Sequence, residues 1–247
     1  MIRWVWAWLA LMAAPVAAQT CQDVQYLSNQ YTICEIDPAQ HRLSLFLRDA
    51  RGQVLGGFGA VARELAREGK RLGFAMNAGM YHDDRRPVGL YIQDRAQEGR
   101  LIANAGPGNF GLLPNGVFCI GEGQAQVYET LDFQRRGLVR HCKHATQSGP
   151  MLVIDGALHP RFLPDSTSRY IRNGVGTSVD GTRVVFAISN NAVTFHEFGS
   201  LFRNHLKTPN ALYFDGSVSR LYAPELGRND RGRMLGPIVG LVLDVAG

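Results

Sequence analysis

Short apolar segments broken by turns run through most of the chain. Leu43, Leu45 and Leu47 alternate with Ser44, Phe46 and Arg48, the two-residue period of a half-buried strand. Residues 117–120 and 125–128 flank Gly121-Glu122-Gly123, which predicts a hairpin around a glycine turn. The apolar run 151–154 enters Asp155-Gly156, and 175–179 enters Asp180-Gly181 ahead of 183–188. Asp-Gly favours the positive backbone angles of tight hairpin turns, so both pairs predict adjacent antiparallel strands. A buried strand over 210–214 leads into Asp215-Gly216.

Two segments carry helical spacing instead. Over 58–70, Phe58, Val61, Ala62 and Leu65 recur at intervals of three and four, opposite Arg63, Glu64, Arg67 and Glu68. The second helix opens at Thr194-Phe195-His196-Glu197, a Thr-x-x-Glu capping box, and carries Phe198, Leu201, Phe202 and Leu206 on one face before Pro209. Many strands with about two principal helices predict an α+β domain with a mixed or mainly antiparallel sheet, not a repeated βαβ winding. No internal repeat or linker divides the chain.

The first 18 residues read differently. Arg3 gives a basic start, 4–16 is almost wholly apolar, and Val16-Ala17-Ala18 supplies the small residues of a cleavage site. They predict a secretory leader, with one domain over 19–247 in the periplasm or outside the cell. The apolar run is shorter than the ~20 residues of a spanning helix, and Thr20 ahead of Cys21 suits a lipid-anchoring site poorly, so no stable membrane anchor is expected.

The 247 residues carry a net charge of +5, and 23 of the 26 basic residues are arginine. Arginine's planar fork suits phosphate or carboxylate. The arginines are scattered rather than striped, so no nucleic-acid partner is expected and most of the bias is compositional. Cys21, Cys34, Cys119 and Cys142 are four in number, and sequence proximity favours Cys21 with Cys34 and Cys119 with Cys142 as disulfides. Zinc held by His141, Cys142, His144 and Cys119 is the alternative, without the tight paired spacing usual in such sites.

Candidate chemistry is sparse at the level of common motifs. Gly106-Pro107-Gly108-Asn109-Phe110-Gly111 has the glycine spacing of a dinucleotide fingerprint, but Pro107 and Pro114 prevent a helix from opening there, which makes it a loop. Neither a Gly-x-Ser-x-Gly elbow nor a His-Glu-x-x-His pair is present. What remains is polar residues beside glycines where apolar segments end: Asn77 to Tyr81, Gln147 to Pro150, Arg172 to Gly176, and Asp215 to Arg220. Singly, each reads as a turn whose Asn, Asp or Ser bonds its own backbone.

Taken in order, Asn77-Ala-Gly-Met-Tyr81, Pro114-Asn-Gly-Val-Phe118, Gln147-Ser-Gly-Pro150, Arg172-Asn-Gly-Val-Gly176 and Asp215-Gly-Ser-Val-Ser219 resemble the phosphodiester glycosidase domain family over roughly residue 72 to the C-terminus. That family includes the lysosomal uncovering enzyme, which removes N-acetylglucosamine from a phosphodiester-linked mannose. Its common Asn-Leu-Asp-Gly-Gly-x-Ser reads Tyr213-Phe214-Asp215-Gly216-Ser217-Val218-Ser219 here, and Asn77-Ala78-Gly79 replaces Asn-Gly-Gly. The resemblance implies an exported hydrolase that cuts the sugar side of a sugar-1-phosphodiester on a small molecule or glycan. It points to Asp215 as the catalytic carboxylate and Arg172 as phosphate clamp, with Asn77, Gly79, Tyr81, Ser148, Gly149, Gly176, Gly216, Ser217, Ser219 and Arg220 around the substrate. Arg220 is a second clamp candidate, and His82 with Asp83 and Asp84 a weaker acid or metal site. Glu197 is explained by its capping position. No cofactor is called for. A non-catalytic binding module for anionic glycans and a metal-dependent phosphodiesterase stay open as alternatives.

Overall fold

Continuous apolar runs such as 184–188 and 211–214 bury alternate side chains in two different cores, so each strand is covered on both faces. The computed structural model describes residues 20–245; the secretory leader expected over residues 1–18 lies outside the described residues. The strands are β1 (Thr20–Tyr26), β2 (Asn29–Ile36), β3 (Arg42–Phe46), β4 (Lys70–Asn77), β5 (Tyr91–Gln93), β6 (Ala96–Glu98), β7 (Gly116–Ile120), β8 (Ala125–Glu129) and β9 (His144–Ser148). They continue as β10 (Met151–Ile154), β11 (Ala157–Leu158), β12 (Asn173–Thr177), β13 (Val184–Ser189), β14 (Asn210–Asp215), β15 (Leu221–Ala223), β16 (Arg228–Asn229) and β17 (Ile238–Asp244).

They form three sheets in the orders β1-β2-β13-β12-β14-β10-β11, β16-β15-β4-β17-β3 and β6-β5-β9-β7-β8. Every strand pairing among the described residues is antiparallel. One face of each sheet meets a common interior built from Leu45, Phe74, Phe118, Phe186, Leu212 and Leu241 among others. Each outer face is closed by a helix. α1 (Phe58–Arg67) lays Phe58, Val61 and Leu65 on Leu72 and Ile238; α2 (Thr130–Arg135) sets Phe133 against Val117 and Cys119. α3 (Phe195–Ser200), extended by a π-helical turn over Leu201–His205, packs Phe198 and Phe202 on Val185 and Ala187. This is the α+β class that the patterning predicts.

Thr194 and Glu197 close the capping box around α3, and Glu197 also pairs with Arg169 at 2.8 Å, so its carboxylate is occupied structurally. One boundary and one element differ from the periodicity. α1 stops at Arg67, because Gly69 takes a positive φ and Lys70 already begins β4. The six-residue α2 escapes notice in the sequence because its cap is Glu129, whose carboxylate accepts from the N–H groups of Leu131 and Asp132.

Both disulfides pair as proximity suggests. Cys21 faces Cys34 across β1 and β2, and Cys119 of β7 bonds Cys142. The zinc alternative thereby loses its thiolates. His144 is buried, its pKa drawn down to about 4 chiefly by that burial, and its Nδ1 accepts from the Asp94 N–H at 3.2 Å. The second bridge joins residues 23 apart, for which loop-closure entropy gives about 3 kcal/mol. A Cys119→Ala/Cys142→Ala protein should therefore melt roughly 10 °C lower; an unchanged midpoint in calorimetry would show that the bridge adds nothing.

Candidate active site

The site is organised by two buried asparagines. Asn77 ends β4, Asn173 begins β12, and neither is exposed. Asn173 Nδ2 donates to the Asn77 carbonyl at 2.8 Å and to its Oδ1 at 3.1 Å, while Asn77 Nδ2 returns a bond to Asn173 Oδ1 at 3.3 Å. Asn77 Oδ1 also accepts the backbone N–H of Arg220 at 2.9 Å, and the Ser219 hydroxyl lies 3.2 Å from Asn173 Oδ1. Asn77, wholly buried, thus holds the 215–220 loop from beneath. Asn173 is the partner that sequence reasoning left off the candidate list, although it stands inside one of the quoted motifs.

Asp215 is aimed by an irregularity in the sheet. Asn173 pairs with Asp215 and Gly174 with Tyr213, so the register slips at Phe214. The Phe214 carbonyl, left out of that ladder, accepts the Ser148 hydroxyl at 3.0 Å. Ser148 is fully buried, so its part is to support the bulge rather than to donate to substrate. Beyond the bulge, Asp215 Oδ1 takes the Ser217 N–H at 2.7 Å. Burial pushes the Asp215 carboxyl above the usual carboxylate range, with the N–H groups of Ser217, Gly216 and Val218 pulling it partly back.

The expectation of a phosphate clamp at Arg172 does not fit this geometry. Its guanidinium is 1% exposed, stacks on Phe195 with Cζ 3.7 Å from the ring centroid, and donates to the carbonyls of Val193 and Ser168 at 2.9 and 3.1 Å and to the Tyr213 hydroxyl at 3.4 Å. Every edge is occupied internally. The same Tyr213 hydroxyl lies where a Cβ on Gly216 would sit, 2.1 Å away, so Arg172 supports the loop through Tyr213. Gly176 is likewise a packing residue: a Cβ there would lie 2.4 Å from Thr208 Oγ1 and 2.7 Å from Phe202 Cδ1. Gly176→Ala should cost about 1–3 kcal/mol by overpacking, read as a lower melting temperature with KM unchanged in the folded protein. Gly79 and Gly149 pack against Thr146 and Asn115, also inside the molecule.

Tyr81, Asp215 and Ser217 do come together, in a cleft of about 570 Å³ that also receives His82, Asp83, Arg85, the loop Pro107 to Phe110, Val218, Arg233 and Met234. The fingerprint-like glycine segment is a loop, as Pro107 dictates, and it forms one wall. Tyr81 donates its hydroxyl to the Met234 carbonyl at 3.2 Å, and burial, with the nearby Asp215 charge, raises its pKa so that the proton stays on. Arg85 lies with Cζ 5.4 Å from the Tyr81 ring centroid, and its Nε is buried with no partner among the described residues. Ser219 and Arg220 line a smaller adjoining cleft with Ser217 and Arg233. A larger cleft of about 670 Å³, between Gln124, Tyr128, Asp155 and Asp180, contains none of these motif residues. Asp84 is tied to Arg86, and no three His, Cys, Asp or Glu side chains gather as a ligand set among the described residues, so the His82 segment offers a cleft wall rather than a metal centre.

Fold and site define a three-sheet α+β protein with a partly buried carboxylate at a strand end, facing a cleft bordered by arginines. A model of the family described as phosphodiester glycosidase matches residues 70–234, and the chain belongs to that family. It is 31% identical over 216 residues to the uncharacterized protein YigE of Escherichia coli K12, covering 87% of this chain and 83% of that one. The catalytic domain of zebrafish N-acetylglucosamine-1-phosphodiester alpha-N-acetylglucosaminidase, auto-inhibited by its pro-peptide, shares the fold at a TM-score of 0.54 and 14% identity, over 92% of this chain and 82% of that domain. A hypothetical protein from Synechocystis does so at 0.54 and 13%, over 90% of this chain and 61% of its own length.

Proposed function

We propose that this protein is an exported hydrolase that cleaves the bond between the anomeric carbon and the phosphate oxygen of a sugar-1-phosphodiester. The observation that carries the reading is Asp215, a partly buried carboxylate held by the Ser217 N–H in a cleft with Arg85 and Arg233. Cleavage of the C1–O bond sends its electron pair to the phosphate oxygen, and the phosphomonoester leaves as an anion. Positive charge then develops at C1, and Asp215 in its ionised form stabilises it as water adds its oxygen there and gives up a proton. The leaving phosphate needs less protonation than an ordinary glycoside's alcohol, which fits a cleft whose cations are arginines that never act as acids. Arg85 and Arg233 are the cleft's cations for the phosphate, and Tyr81 and Phe110 are the aromatic residues of the cleft wall beside the sugar. Two disulfides suit an oxidising compartment, and no helix among the described residues is long and apolar enough to cross a membrane.

Incubating purified protein with a nitrophenyl sugar-1-phosphodiester should release free reducing sugar and leave nitrophenyl phosphate. Sugar-1-phosphate with free nitrophenol would overturn the reading in favour of attack at phosphorus. Because Asp215 must be ionised to work, the acid limb of kcat/KM should lie above the ordinary Asp value of about 3.9. A limb at or below that value would contradict the assignment.

A further inference from the structure

Arg220, Arg231 and Arg233 surround a cleft of about 340 Å³ that opens beside the first and shares Ser217, Val218 and Arg233 with it; no acidic residue lines it. Arg220 is 9% exposed, and its one side-chain hydrogen bond among the described residues goes from Nη2 to the Arg233 carbonyl, leaving Nε and Nη1 without a partner there. Gly232 lets the backbone lie against that guanidinium, since a Cβ there would be 3.2 Å from Nη1. The nearest carboxylate in sequence, Asp230, is taken up by Arg228 at 2.9 Å and by the Leu221 N–H at 2.9 Å. Neither Arg231 nor Arg233 has an acidic side chain within ion-pair distance among the described residues. Arg220 feels the charge of Asp230 only at a distance and makes no ion pair of its own among the described residues; a largely buried guanidinium in that state is costly, and an anion from a ligand relieves the cost.

We infer that this second cleft binds a further phosphate on the leaving-group side, so that the preferred substrate is a sugar-1-phosphate joined to a second phosphate rather than to a neutral alcohol. The inference rests on the hydrolase reading for its orientation: sugar over Tyr81, the scissile phosphate at the Ser217 and Arg233 junction, and the second phosphate among Arg220 and Arg231. It names the substrate by charge, which the family match leaves open.

Two measurements separate this inference from the reading beneath it. The first compares kcat/KM for a methyl phosphodiester and a uridine diphosphate ester of the same sugar; the diphosphate should be preferred by about tenfold, the worth of one charge-assisted pair. In Arg231→Gln that ratio should fall toward one. Equal kcat/KM for the two esters would overturn the inference while leaving the hydrolase reading intact. The second is titration calorimetry with inorganic pyrophosphate, which needs no turnover. Wild type should bind it, and Arg231→Gln should bind about tenfold more weakly, with the affinity of both falling as salt rises. Pyrophosphate binding with no sugar released from either ester would sink the hydrolase reading and keep the anion cleft; absence of Arg231-dependent binding would remove the cleft.

Discussion

Asp215→Asn should release sugar on the order of 10³-fold more slowly than wild type, a loss of about 4 kcal/mol of transition-state stabilisation. The amide keeps the shape and can still accept the Ser217 N–H, so the loss isolates the charge. The same variant should be the more stable protein at neutral pH. Burial raises the folded-state pKa of this carboxyl, so the native state holds the proton more tightly than the unfolded chain. Its contribution to stability is therefore complete below the unfolded value near 3.9 and is lost as pH rises through the folded value. Replacing it with Asn removes that loss: the variant should melt higher than wild type at pH 7, and the gap should close below pH ~3.9. An Asp215→Asn protein with full activity would remove Asp215 from the mechanism, and one that melts lower at neutral pH would contradict the burial argument.

Asn173→Ala is expected to be the most damaging single change away from the carboxylate. It leaves the Asn77 amide and carbonyl without their partners in a fully buried setting and frees Ser219 on one side. Unsatisfied buried groups of this kind cost about 3 kcal/mol together, or roughly 9 °C in melting temperature for a domain of this size. Activity per folded molecule should also fall by at least ~10-fold, because the 215–220 loop hangs from Asn77, and a small misplacement of Asp215 is expensive. Calorimetry and kcat measured on the folded fraction check both halves; a variant with wild-type melting and wild-type kcat would show that the asparagine pair does not set the loop.

What was legible in the chain follows from which physical signals are local. Asp155-Gly156, where both residues have positive φ, and Thr194 with Glu197 work over two to four residues, and the hairpin and helix start stand where they predict. The strand bearing Leu43 and Leu45 is equally local, since alternation is a property of neighbours; Leu47, one residue past its end, is buried with them. The site was legible only as a set of places. Motif order located Asp215, Tyr81 and Ser217, which the fold does bring into one cleft. It could not separate residues that face the cleft from those that hold it. Arg172, just before β12, and Asn173, its first residue, turn to opposite sides, one toward Tyr213 and Phe195, the other toward Asn77. Ser148 supports a bulge at Phe214 that exists only once β12 and β14 have paired across nearly 40 residues. Arg85, the loop Pro107 to Phe110, Arg231 and Arg233 carry no shared spacing with Asp215, and only tertiary folding places them around it.

Where the bond breaks is the most direct question to put to this site. Hydrolysis of a sugar-1-phosphodiester in ¹⁸O-labelled water, followed by mass spectrometry of both products, should place the heavy oxygen on C1 of the free sugar and leave the phosphomonoester unlabelled. Heavy oxygen in the phosphate would mean attack at phosphorus, and with it Asp215 would lose the role given to it here.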